Sequence, residues 1–264
     1  MSTDVVRLDL LLRRRSIVGY SLGMAVYALV IVALYPAFQH ETGLDQFTSE
    51  NSTVAALFGI SGPLTSASGW LNANLYANFL PLIILLLNIG YGASCIAGQN
   101  EDGTLGLVVT LPLSRTRIAL QKVAAMWLVA VPVSLVIAFC VFAGRGFDVR
   151  IGTGALIGVT VSLLLLGIDF GGALAMLIGV STGSRPIALG VASMIAAAAY
   201  LINSLAPVVV WLRPARLVSP FFYAVGGDNQ LVEGVSVSAF VVLTAIAVVL
   251  SWSAIAAFGH LDVN

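Results

Sequence analysis

Long apolar runs alternate with short polar segments along the chain. A helix needs about 20 apolar residues to cross the hydrocarbon of a bilayer. Six runs reach that length: Ser16–Pro36, Asn78–Ala97, Ala119–Ala143, Gly152–Val180, Ile187–Leu212 and Val235–Phe258. The fourth and fifth are separated only by STGSRP, in which Gly183 and Pro186 dictate a tight turn. Six is even, so both termini fall on one side. The pattern predicts an all-α membrane protein, with residues 1–264 as a single transmembrane domain.

The segments between the runs are not uniform. Residues 37–77 form a long connection whose middle is too polar to span, and Trp70 and Tyr76 there suit a membrane interface. Residues 213–234 hold Pro, Gly and the aromatics Phe221, Phe222 and Tyr223. These read as helical pieces before the last span, re-entrant in character, with the three aromatics as either an external lid or interfacial anchors. The start, TDVVRLDLLLRRR, alternates charge with Val and Leu. Residues 1–15 therefore read as an amphipathic elbow on the membrane surface or as a plain topology anchor.

Composition agrees with the spans. Of 264 residues, 59% are hydrophobic and 9% charged, against about 25% charged in soluble domains. The formal net charge is zero, which gives no footprint for nucleic acid. Cys95 and Cys140 lie inside apolar runs and read as small buried hydrophobes. No Cys/His cluster has metal-ligand spacing. No phosphate loop GxxxxGK[ST] occurs, and neither GxSxG nor HExxH is present. The chain is expected to be no enzyme and to hold no cofactor, and if it uses ATP, another chain binds it.

Charge sets the expected orientation. One set of flanks holds eight cations: Arg7, Arg13, Arg14, Arg15, Arg115, Arg117, Lys122 and Arg185. The other set holds four: Arg145, Arg150, Arg213 and Arg216. The bias predicts cytoplasmic termini and a cytoplasmic connector over residues 98–122, with residues 37–77 and 213–234 outside.

That connector, GQNEDGTLGLVVTLPLSRTRIALQK, has its own design. Gly103 breaks the preceding helix, Thr104 suits an N-cap, and Pro112 ends a short helix over Leu105–Leu111. Leu105, Val108 and Val109 share one face, with Leu107 and Leu111 beside it. Glu101 and Asp102 flank the helix on one side, and Arg115 and Arg117 on the other. Such a helix either seats an apolar knob in a partner groove or lies on the bilayer with its cations on lipid phosphates.

The connector resembles the segment between the second and third spans of ABC-2 type ABC transporter permeases. The matching residues are Glu101-Asp102, Gly103-Thr104-Leu105, Leu107–Leu111, Pro112-Leu113-Ser114-Arg115 and Lys122. Gly98-Gln99-Asn100-Glu101 stands where the family often has Gly-Glu-Glu, and Asp228-Asn229 where it has Asp-Pro. GWLNANLYANFLPLIILLLNIGYG, SRPIALGVASMIAAAAYLINSLAPVV and LVSPFFYAVGGDNQLVEG are also similar to their counterparts. The resemblance implies a multi-pass subunit of a bacterial plasma membrane. It pairs with a second permease, identical or related, and with a separate ABC ATPase that drives export. Residues 98–122 are then the coupling segment, with Glu101, Asp102, Gly103, Thr104, Leu105, Leu107, Leu111, Pro112 and Arg115 as contacts to the ATPase.

Polar residues within the spans are few. Asp169 lies near the centre of the fourth, where a charge costs about 2.5–3.5 kcal/mol on insertion scales. Gly167, Gly171, Ala175, Gly179 and Gly183 recur every four residues as a ridge for close packing. Asp169 lies about 200° around the helix from Gly167 and Gly171. Asn88 and Asn203 fall in the second and fifth spans. The three either line a translocation path or hydrogen-bond between helices. The scarcity of fixed charge favours a lipid, hydrophobic drug or amphiphilic peptide as cargo. The alternatives to an exporter subunit are a stand-alone secondary transporter, which would want more intramembrane charge and interrupted helices, and a non-transporting sensor subunit.

Overall fold

The computed structural model describes residues 4–41, 43, 45–46, 62–106, 114–226 and 230–259. They are helical with turns, and six helices are long and apolar enough to cross a membrane. These are α1 (Asp4–Phe38), α2 (Ala67–Glu101), α3 (Arg115–Phe147), α4 (Thr153–Thr182), α5 (Arg185–Leu205) and, after the short α6 (Arg213–Arg216), α7 (Pro220–Val225) and α8 (Gln230–Glu233), the last span α9 (Val237–Gly259).

The helix starts follow local chemistry. Ser66, Ser114 and Ser236 accept hydrogen bonds from the backbone N–H groups of Gly69, Arg117 and Ala239, satisfying donors that the first turn leaves open. The α4–α5 turn closes on Gly183, whose φ of 65° favours a residue without Cβ. Gly103, at φ 69°, ends α2 in the same left-handed region.

Several boundaries differ from those read in the sequence. The elbow expected over residues 1–15 is not a separate element between Asp4 and Arg15. Nothing there breaks a helix, and α1 runs 35 residues without interruption. At 1.5 Å per residue that is about 52 Å, well beyond a hydrocarbon core of about 30 Å. α2 begins eleven residues before the predicted span, and Trp70 and Tyr76 lie inside the bundle rather than at an interface. Trp70 stacks on Phe38 at 5.1 Å and donates its indole N–H to the Ile31 carbonyl at 2.9 Å. The fifth span stops at Leu205, since Pro207 cannot extend its hydrogen-bond ladder.

α4 is the central helix: 78% of its apolar window is buried, against 28% for α9. Its glycine ridge packs on α2, as the four-residue spacing predicts. A methyl group on Gly171 would overlap the Cβ of Asn88, and one on Gly92 would overlap the carbonyl oxygens of Gly171 and Gly172. Gly172 faces the other way, onto the Met126 side chain of α3. Between Gly167 and Leu174 the helix takes the wider π winding. That winding moves Asp169 off the phase expected for a regular helix.

The two ends of the bundle are chemically distinct. At one end the N-terminal turns of α1, the α2–α3 connector and the α4–α5 turn converge, as Asp9, Gln99, Asp102 and Arg185 around one cavity show. This is the end that carries the eight cations of the charge bias. At the other end Tyr35 donates to the Thr65 carbonyl and Tyr27 to the Asn74 carbonyl, tying α1 to the start of α2. α7 dips between helices there. Ser219 donates to the Ala199 carbonyl of α5 at 2.8 Å, and Ser162 of α4 donates to the Ala224 carbonyl at 3.0 Å. Of residues 213–234, α7 is the piece packed between α4 and α5.

Candidate functional site

Much of the connector read over residues 98–122 is an extension of the flanking helices. Gly98–Glu101 completes α2, and Arg115–Lys122 forms the first two turns of α3. Between them Asp102 and Gly103 make the turn, and a helix restarts at Leu105 as the sequence implies. Leu107, Leu111 and Pro112 lie outside the described residues. Thr104 donates to the Gln99 carbonyl at 3.3 Å and so also closes the end of α2. Leu105 is fully buried in the chain's own core. It packs into the bundle directly after the Gly103 turn and is not a free contact for a partner. Glu101 and Asp102 are exposed, but Glu101 accepts the Arg185 backbone N–H at 2.9 Å and caps α5. A carboxylate at a helix N-terminus is stabilised there by the dipole. Asp102, Thr104 and Arg115 remain on the exposed surface.

Behind this surface lies a buried polar cluster. Lys122 is 0% and Asp9 4% exposed, and Lys122 Nζ stands 3.4 Å from Asp9 Oδ2. Lys122 also donates to Gln99 Oε1 at 2.8 Å. The Tyr91 hydroxyl donates to Asp9 Oδ2 at 2.6 Å, with the Lys122 carbonyl as a second acceptor at 3.1 Å. Arg13 donates to Ser94 and stands 4.9 Å above the Tyr91 ring. A cavity of about 310 Å³ opens beside the cluster, lined by Arg13, Ser94, Gln99, Asp102, Thr104 and Arg185 among others. Asp9 carried no role in the sequence reading. Two signals mark it: it is the one acid between Val5 and His40, and Lys122 is the one lysine of the chain. What no pattern shows is that the two meet.

The three intramembrane polar residues do not come together. Asn88 is buried against Gly167 and Gly171, and its amide donates to the Ile84 carbonyl of its own helix at 3.0 Å. Asn203 accepts from Arg216 at 3.2 Å, and Arg216 also donates to the Gly226 carbonyl at 2.6 Å. This clasp holds the segment around α7 against α5. Asp169 is 1% exposed, and both its oxygens lack a hydrogen-bond partner among the described residues. None of the three lines either of the two cavities described. Asp169→Ala is therefore expected to keep or raise the thermal unfolding midpoint, because an unpartnered buried polar group costs about 1–3 kcal/mol. Asp169→Arg should prevent accumulation in the membrane. A midpoint several degrees lower for Asp169→Ala would show that the carboxyl is held by a partner.

A second cavity, about 610 Å³, is a lateral groove between α2 and α5. Pro81, Leu82, Leu86 and Ile89 form one wall, and Leu189, Ala196 and Ala197 the other. At its end towards α7, Tyr200 donates to Asn78 Oδ1 at 2.9 Å. Phe221 closes that end, 5.6 Å from the Tyr200 ring and 5.7 Å from Phe170. Of the three aromatics read as a lid, Phe221 reaches the groove. Phe222 and Tyr223 meet edge to face at 5.2 Å, with Arg216 over Phe222. Cys95 and Cys140 are buried thiols. Among the described residues no group of His, Cys, Asp or Glu is arranged to hold a metal.

No family model matches the chain. A curated protein of Stutzerimonas stutzeri, described as "Probable ABC transporter permease protein NosY", is 34% identical over 160 residues. The match covers 61% of this chain and 44% of that protein, so the chain spans less than half the length of the curated relative it matches. The resemblance read in the sequence is met again in a named relative: this chain, with six helices long and apolar enough to span among its described residues, is similar to an ABC transporter permease.

Proposed function

We propose that the chain is the membrane-spanning permease subunit of an ABC exporter, working with a separate ABC ATPase and a second permease chain. The observation that carries this reading is the connector end. Helical backbone restarts at Leu105 after the Gly103 turn, Leu105 is buried, and Asp102, Thr104 and Arg115 are exposed. Supporting it is the similarity to a permease whose name implies an ATPase partner. ATP and Mg then belong to that partner. The connector end is cytoplasmic in this reading, by the eight-to-four cation bias. Cysteines placed at Ser114 and Ser236, in a chain with Cys95 and Cys140 replaced by Ala, should react with an impermeant thiol reagent from opposite sides. Reaction from the same side would refute the orientation.

The groove between α2 and α5 is the proposed place for cargo. Its volume lies in the range of ligand pockets, about 300–1,000 Å³. Its walls are apolar, with the Asn78–Tyr200 pair as the polar feature. That favours a lipid, hydrophobic drug or amphiphilic peptide over a multiply charged solute. Ala197→Trp places an indole in the groove. Native mass spectrometry of the purified chain should then show at least a tenfold loss of bound amphiphile, with the thermal midpoint unchanged. Full occupancy in Ala197→Trp would remove the groove from the pathway.

A further inference from the structure

We infer that Asp9 is a positioning residue for the connector: its buried ion pair with Lys122 locks the first turns of α1 to both roots of the connector, so that movement of the connector is passed to α1. The lock itself is independent of the permease reading, and its use in coupling rests on that reading.

The geometry is a closed clasp. Gln99 stands at the end of α2, before the connector, and Lys122 stands two turns into α3, after it. The Lys122 ammonium touches Gln99 at 2.8 Å and Asp9 at 3.4 Å, so one group joins three helices. The Tyr91 hydroxyl closes the ring between Asp9 and the Lys122 backbone. A fifth contact lies one helical turn away, where the Val5 backbone N–H donates to Gln121 Oε1 at 3.0 Å. Val5, Asp9, Arg13 and Ile17 fall every four residues on one face of α1, and all four turn toward the bundle. The exposed surface of these turns carries Leu8, Leu11 and Leu12 together with Arg7, Arg14 and Arg15.

Two charges withdrawn from water favour one geometry strongly. Removing one partner strands the other, whereas replacing both with apolar groups is often neutral for stability. Such pairs hold a register more than they add stability, and that is the property a lever requires. A loop joined to its helices by backbone alone would swing freely. Here both roots meet at the Lys122 ammonium, which holds the Asp9 carboxylate of α1, so the connector and α1 shift together.

The test separates a positioning role from a structural one. The variants are Asp9→Leu with Lys122→Met, which keeps bulk and removes both charges, and the reversed pair Asp9→Lys with Lys122→Asp. The first readout is hydrogen exchange of the amides of residues 102–114 in the purified chain. The second is ATP hydrolysis by the adjacently encoded ATPase bound to the chain in vesicles. For the apolar pair, exchange should rise at least tenfold and the permease-dependent part of hydrolysis should fall at least fivefold, with the thermal midpoint within a few degrees of wild type. The reversed pair should restore both readouts to within about threefold. Unchanged exchange in the apolar pair would overturn the lock. Raised exchange with unchanged hydrolysis would overturn transmission to α1. Failure of wild-type chain to hold the ATPase would count against the permease reading, while exchange would still decide the lock.

Discussion

Under the proposed function, replacing Leu107 and Leu111 together by Asp is expected to release the ATPase from this chain. Both residues lie outside the described structure, and the expectation comes from the sequence. They sit between a helix start at Leu105 and Pro112, in a connector whose flanking turns belong to α2 and α3. Since Leu105 is consumed in the chain's own core, the docking contact falls to the other apolar residues of that short helix. Burial of a Leu side chain is worth about 1.5–3 kcal/mol. Two such losses weaken docking by roughly 10² to 10⁴, at about 1.4 kcal/mol per factor of ten. Affinity of labelled ATPase for the permease in nanodiscs measures this directly. Asp102→Asn should slow association and leave most of the affinity, since an exposed charge steers more than it binds. Equal affinity for wild type and the double variant would mean that this helix rests on the bilayer.

The second large effect is expected at Gly171. Gly171→Leu drives a side chain into the Cβ of Asn88 and the backbone of Ile89, where α2 and α4 touch. The neighbours are backbone and a β-carbon, so no flexible tip can yield. The helices must part along the most buried seam of the bundle. Overpacking by even a methylene or so costs about 1–3 kcal/mol, and Leu adds a whole branched chain. Gly171→Leu should fail to accumulate, and Gly171→Ala should lower the thermal midpoint by several degrees. Gly146→Ala, with nothing within 4 Å of its added methyl, is the control and should be silent. A stable Gly171→Leu protein would contradict the packing described for α2 and α4.

The sequence made the six spans legible because a run of about 20 apolar residues has few other stable fates. It showed the glycine ridge for a similar reason, since close helix packing in lipid needs small residues at a four-residue spacing. It was less informative where partners lie far apart in the chain. Trp70 has the composition of an interfacial residue, and its burial follows from the Ile31 carbonyl and the Phe38 ring, 39 and 32 residues away. Asn203 read as a possible path residue because its partner Arg216 lies beyond a helix end. Leu105 read as part of a docking face because amphipathicity gives an apolar side without saying what covers it. Asp9 and Lys122 were each unusual in position, yet their pairing needs α1, α2 and α3 to be assembled first.

The central claim is that a separate ATPase docks at the connector end of this chain. A photo-crosslinking amino acid placed at Arg115, and in a second protein at Val218 on the opposite end, tests it in the native host, with crosslinked ABC ATPases identified by mass spectrometry. Crosslinks to the ATPase from position 115 and none from position 218 are the expected result. Crosslinks from position 218 alone, or from neither position, would contradict the account.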